Sequence, residues 1–280
     1  MRALEAEVVD AVWAAVEPLL PTPPEETHPL GCHRRRVPDR VCFQGVLIRL
    51  VTGCAWVDVE RLLDRAVSDT TLRARRDDWL AAGVFDALAD EAVAAYDRII
   101  GLDLAECAVD GSQHKAPTGG EGTGPSPVDR GKRGWKWSLL ADGNGIPMGW
   151  TSDGANRNDC VLLEATLADA ADRGLLVDCE TLHLDRGYDN GVVRRLVAGL
   201  GIDDLVCSKV RPAGTATTKK LVPLGMRWPI ERTNSWLSNF GQLRRNTDRR
   251  TAHRLAQFAL AVALLITAKL IDWRDRWSPA

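Results

Sequence analysis

The chain has no uninterrupted apolar run near the eighteen or so residues that a membrane span requires. The longest, Phe258 to Ile266, has nine and reads as a buried helix. Glu5, Glu7, Asp10 and Glu17 interrupt the first twenty residues, where a signal peptide would need an unbroken apolar stretch. Both absences point to a cytoplasmic protein without a membrane partner. The seven cysteines (Cys32, Cys42, Cys54, Cys107, Cys160, Cys179, Cys207) are odd in number, widely spread and form no C-x-x-C pair. They read as reduced core thiols, and no disulfide or metal staple is expected. Internal repeats and low-complexity tracts are missing as well. Aromatic residues are scarce at 6%, but 45% hydrophobic and 26% charged residues in a chain of 280 give the composition of a globular protein with one large domain or two.

A strong charge of one sign is also lacking, since the net charge is −2. That average hides a polarised distribution. Residues 1–31 hold six acids and one base. Residues 209–254 hold eleven basic residues (Lys209, Arg211, Lys219, Lys220, Arg227, Arg232, Arg244, Arg245, Arg249, Arg250, Arg254) against Glu231 and Asp248, a local charge of +9. Such a block is the electrostatic footprint of a polyphosphate partner.

Helical apolar spacing predicts a helix over Leu4–Leu20 that stops at the proline-rich Pro21–Pro29 linker. From Val41 to Gly101 only amphipathic helices are indicated. Val41–Val51, a turn at Thr52–Gly53, Trp56–Ala66 and a helix capped by Ser68 and ending at Leu80 read as a helix-turn-helix, with Arg73, Arg75 and Arg76 exposed on its recognition helix. Residues 1–101 are therefore expected to recognise DNA ends. After Leu104 the pattern changes to short apolar runs, which marks a domain boundary. Strands are expected at Glu106–Asp110, Trp135–Leu140, Ile146–Thr151, Thr181–Leu184 and Asp204–Cys207, with helices at Asn158–Arg173, at Asn190–Leu200 and from Pro229 onward. The order β-β-β-α-β-α-β-α gives an α/β domain over 104–280: a five-stranded mixed sheet with helices on both faces, the order of the ribonuclease-H-like fold. Residues 117–134, with six glycines and three prolines, and residues 211–225 read as mobile loops. The first lacks the G-x-x-x-x-G-K-[ST] spacing, so no nucleotide cofactor is expected.

Asp110 ends the first of these strands and Asp185 the fourth, and in this topology the two strands are neighbours, with ligands bound at their carboxyl ends. Glu231 lies in the first turn of the Pro229 helix, whose polar face also carries Asn234 and Ser238. Three acids can thus converge on one point. Clustered carboxylates repel one another unless divalent cations sit among them, and oxygen-only ligands suit Mg2+ or Mn2+ better than zinc. Two such ions per site support phosphoryl transfer. Tyr188, Asn156 and Asp159 are candidates to orient the ligands.

These residues resemble the DDE transposases of bacterial insertion sequences, in the insertion-sequence-five group, and the resemblance covers nearly the whole chain. Asp110-Gly-Ser-Gln-His-Lys, Arg133-Gly-Trp-Lys-Trp and Asp142-Gly-Asn-Gly-Ile-Pro are similar to the first catalytic region, and Leu184-Asp-Arg-Gly-Tyr-Asp189 to the second. Arg227-Trp-Pro-Ile-Glu-Arg-Thr-Asn-Ser-Trp with Arg244-Arg-Asn is similar to the third, and Thr52-Gly-Cys-Ala-Trp56 to the N-terminal module. The resemblance implies DNA transposition with Asp110, Asp185 and Glu231 as metal ligands. Leu224 and Ser238 stand where the family carries Tyr and Lys around Arg227 and Glu231, so Arg232, Arg244 or Arg245 is expected to supply the terminal-phosphate contact. Further DNA contacts are expected from Lys136 and Arg186, beside Arg73, Arg75, Arg76 and Arg227. The partners so implied are the terminal inverted repeats and target DNA, bound by a homodimer in the nucleoid. A repressor derived from such an enzyme, or a nuclease that only hydrolyses, remains as an alternative reading.

Overall fold

The computed structural model describes residues 3–23, 36–202, 204–207 and 227–277. Most of the Pro21–Pro29 linker, the loop 211–225, Leu224 and four members of the basic block (Lys209, Arg211, Lys219, Lys220) lie outside the described residues. The chain divides into two units, one drawn from Met1–Ala94, Leu237–Thr247 and Ala252–Ala280, the other from Ala95–Trp236 and Asp248–Thr251.

The first unit is helical: α1 Ala6–Val16, α2 Asp39–Thr52, α3 Trp56–Leu62, α4 Asp69–Ala81, the start of α5 (Val84–Ile99), α9 Gly241–Arg244 and most of α10 (Thr251–Trp277). Ser68 caps α4 as expected, its hydroxyl accepting from the Thr71 N–H at 3.2 Å. Gly53 ends α2 with φ of 71°, a left-handed conformation that favours glycine. A Cβ there would stand 2.8 Å from the carbonyl carbon of Gly241, so α2 and α9 meet backbone to backbone.

α10 overturns the expected boundary at 104, which assigned it to the catalytic half. The run Phe258 to Leu264 is wholly buried, so the helix must be surrounded, and its residues 252–277 sort with the N-terminal helices. By length and composition α10 could cross a membrane, unlike any run the sequence reading found, but 61% of its most apolar window is buried inside the protein. That burial is the mark of a core helix.

Two further expectations fail in this unit. Arg75 and Arg76 are not exposed but about 95% buried. Arg75 pairs with Asp39 at the start of α2, while Arg76 bonds Asp77 at 2.8 Å and lies 5.4 Å above the Trp56 ring. Arg254 of the basic block is fully buried in α10. A guanidinium enters a core when a carboxylate or an aromatic face receives it, and both are supplied here from sequence-distant helices. Arg73 alone of its trio stays at the surface, in an ion pair with Asp69.

The second unit is built on β1 Glu106–Lys115, β2 Gly124–Pro125, β3 Arg133–Ala141, β4 Pro147–Gly154, β5 Thr181–His183 and β6 Asp204–Val206, with α6 Asp159–Asp172, α7 Gly191–Gly199 and α8 Trp228–Leu237. β3 pairs antiparallel with β1 and β4, whereas β1–β5 and β5–β6 run parallel. The sheet has six strands rather than five, because β2 adds a two-residue edge to the start of β3. β2 lies inside the segment read as a mobile loop. That segment is also pinned at its glycines: the Glu121 N–H bonds the Arg249 carbonyl at 2.8 Å, and a Cβ on Gly120 would overlap that same backbone.

One face of the sheet packs Cys107, Val109, Leu140 and Leu182 against Leu163 and Leu167 of α6 and Val193 and Val197 of α7. The opposite face meets α8. There the Trp137 indole donates to Asn234 Oδ1 at 2.8 Å, and the Thr233 hydroxyl donates to the Gly145 carbonyl at 2.6 Å.

Candidate active site

The parallel ladder joins Glu106–Ala108 of β1 to Thr181–His183 of β5. Asp110 and Asp185 each lie two residues beyond its end, at the same level, where the strands separate. Glu231 comes from the first turn of α8, and Arg227 immediately precedes that helix. These local geometries bring four side chains together. Arg227 Nη2 lies 3.3 Å from Asp110 Oδ1 and 3.7 Å from Glu231 Oε1, while its Nη1 lies 3.9 Å from Asp185 Oδ1. One guanidinium thus faces all three acids. The sequence reading marked Arg227 as a DNA contact and missed this central place, because ion pairing over a separation of more than a hundred residues leaves no local pattern.

Asp110 is the most enclosed of the three, with its side chain 22% exposed against 53% for Asp185 and 59% for Glu231. Its Oδ2 accepts from Asn234 Nδ2 at 3.1 Å. Asn234 accepts in turn from Trp137, which fixes the amide and hence the carboxylate. Burial pushes the Asp110 pKa up, against the lowering pull of Arg227, the Gly111 N–H and Asn234; Glu231 raises it further. Beneath them His114 stacks on Trp137 with ring centroids 3.8 Å apart and bonds the Ser112 hydroxyl at 2.8 Å.

Among the described residues no three His, Cys, Asp or Glu side chains surround one point as metal ligands. The donor set nonetheless suits a hard divalent cation. It consists of oxygens only, and Arg227 marks the place where positive charge is required.

The other expected contacts are dispersed. Lys136 is buried, with Nζ 2.7 Å from Asp159 Oδ1, so its ammonium is held inside the unit instead of meeting solvent. Arg232 lies 4.4 Å from the Trp228 ring and 4.7 Å from that of Trp236, and donates to the Asn144 carbonyl at 2.8 Å. Arg186 follows Asp185 and is half-buried; Arg244 and Arg245 are exposed in the helical unit. Asn156 is wedged against Gly124 and Gly154, which explains those two glycines and removes it from the group of ligand-orienting candidates.

A mixed sheet of this order with acids at the ends of β1 and β5 and on α8 defines a ribonuclease-H-like catalytic domain. Residues 103–266 match the family model described as "Transposase DDE domain", and residues 8–89 match one described as "Putative transposase of IS4/5 family". The chain belongs to the DDE transposase family. It is 36% identical over 134 residues to "Putative transposase for insertion sequence element IS402" of Burkholderia cepacia, a match covering 46% of this chain and 60% of that relative. It is 34% identical over 118 residues to "Insertion element IS402 uncharacterized 16.2 kDa protein" of the same organism, covering 42% of this chain and 79% of the relative. The chain therefore spans about three fifths of the first relative's length. No solved structure matches it.

Proposed function

We propose that the chain is a DNA transposase that cuts phosphodiester bonds at the ends of an insertion sequence and joins the freed strands to target DNA. The meeting of Asp110, Asp185 and Glu231 on a single guanidinium carries this reading. These three acids hold two Mg2+ or Mn2+ ions. When bound, the ions activate a water or a 3′-hydroxyl and stabilise the leaving oxygen. The chain's own groups then have defined tasks. Trp137 and Asn234 fix the orientation of Asp110. Arg227, once relieved of part of its duty to the acids, presents a planar fork to phosphate oxygens. Arg73, Arg244 and Arg245 are the surface arginines left to hold duplex backbone, and since both ends must be held together the protein acts as at least a dimer on DNA, in the nucleoid.

Asp110→Asn, Asp185→Asn and Glu231→Gln each remove a ligand charge with little change in volume. Each variant is expected to bind end-containing duplex at near wild-type affinity and to lose strand cleavage in Mg2+ by at least about a hundredfold, because charge stabilisation and positioning carry most of the chemistry. A variant that cleaves at near wild-type rate removes that residue from the triad. Integration into supercoiled plasmid separates a transposase from a hydrolysis-only nuclease, and binding without any cleavage by the wild-type chain indicates a repressor.

A further inference from the structure

The crevice holding Asp110 and Asp185 has a second wall, formed by β3, the start of α6 and the turn after Asp185. Lys136 on β3 is 2% exposed, and its ammonium lies 2.7 Å from Asp159 Oδ1 at the first position of α6. That same oxygen occupies the space a Cβ would take on Gly111, the residue after Asp110. The Asp159 carboxylate therefore rests directly on the backbone that carries Asp110, and only glycine leaves it room.

Tyr188 completes this wall. It is 2% exposed, and its hydroxyl is buried without a hydrogen-bond partner. Burial, then Asp159, Asp110, the Cys160 thiol and Asp185, push its pKa up and keep the phenol protonated. It is a donor among acceptors. An unsatisfied buried hydroxyl costs about 1–3 kcal/mol, and such a group in a native structure asks for an explanation. Charge gives a second, independent pointer. With Asp159 the crevice gathers four carboxylates against the two cations Arg227 and Lys136, which leaves it two positive charges short of neutrality.

We infer that Asp159, held by Lys136 against Gly111, is a fourth acid of the cation site, and that Tyr188 is a positioning residue whose hydroxyl donates to these carboxylates once a divalent cation draws them together. The inference rests on the metal-dependent reading above. Asp159 adds charge and steadies the backbone at Gly111, and Tyr188 fixes the acceptor oxygens in the loaded state.

The test uses the full chain, with Mn2+ as the probe. Melting temperature in EDTA and along a MnCl2 titration, and Mn2+ affinity by electron paramagnetic resonance, are measured for wild type, Tyr188→Phe, Asp159→Asn and Gly111→Ala, with Asp110→Asn as reference. Tyr188→Phe should melt in EDTA no lower than wild type, since the lost hydroxyl has no partner there, yet bind Mn2+ at least tenfold more weakly and show a smaller Mn2+-induced rise. Asp159→Asn should show the same weakening. Gly111→Ala, which keeps every acid but displaces Asp159, should reproduce it. Wild-type Mn2+ affinity in Tyr188→Phe and Asp159→Asn, alongside its loss in Asp110→Asn, overturns the inference and leaves the triad standing. Failure of the wild-type chain itself to respond to Mn2+ overturns the metal-dependent reading and this inference with it.

Discussion

At the scale of single residues, the acids were legible because each falls at the end of a pattern: an apolar strand closing on Asp110, another on Asp185, a proline-opened helix carrying Glu231. Their neighbours were not, since Arg227, Lys136 and Asp159 acquire their roles through contacts far apart in the chain. His114 shows the same limit. Its sequence context suggests a solvated or DNA-facing side chain, whereas it stacks on Trp137, and burial lowers its pKa from the ordinary 6.5 to about 3. The folded protein therefore keeps this ring neutral over a range in which the unfolded chain protonates it. A depressed histidine contributes stability that is fully present above pH 6.5 and is lost as pH falls toward 3. Between about pH 6 and 4 the wild type should lose roughly 1.4 kcal/mol per pH unit more than His114→Gln, which has nothing to protonate there. Urea denaturation at several pH values reads this difference, and parallel curves for the two proteins would show that His114 is solvated.

At the scale of elements, helices with caps and strands with alternation were readable to within a few residues, and the Asn158 and Asn190 caps of α6 and α7 fall where expected. The second half of β1 was not readable. Gly111 to Lys115 have no apolar alternation, yet they pair with β3 along their whole length, and the polar side chains Ser112 and His114 find cover under Trp137. Glycine was misread in 117–134 as a sign of mobility, when several of its glycines hold fixed positive-φ turns: Gly119, Gly120, Gly122 and Gly131. What a glycine is for depends on what lies beside it, and paired substitutions expose this. A Cβ on Gly241 would overlap the carbonyl of Thr52, with backbone on both sides. Gly241→Ala should therefore destabilise the protein by about 1–3 kcal/mol, as overpacking does. Gly199, at the end of α7, has nothing within 4 Å of its would-be Cβ, and Gly199→Ala should be neutral or stabilising by up to about 1 kcal/mol. Chemical denaturation monitored by helical circular dichroism distinguishes them, and equal effects would mean that α2 and α9 do not meet as closely as described.

At the scale of the whole molecule, hydrophobic periodicity announces that α10 must be buried but cannot name its partners. Reading the chain from left to right assigns it to the half it follows. The chain instead returns: residues 237–247 and 252–277 complete the helical unit begun by α1 to α5. A cut before residue 104, which the sequence suggested would leave an intact catalytic half, removes the helices that belong with α10 and strips cover from the apolar run Phe258 to Leu264. A contiguous apolar surface of that kind drives association. The fragment 104–280 alone is therefore expected to elute as aggregates in size-exclusion chromatography, even though every strand and all three acids lie within it. Supplying residues 1–103 as a separate chain during expression should restore a soluble species containing both pieces in equal amounts, because the helical unit can then assemble around α10. A monodisperse 104–280 fragment with strand-rich circular dichroism and no need of the N-terminal piece would return α10 to the catalytic domain and restore the boundary that the sequence pattern first suggested.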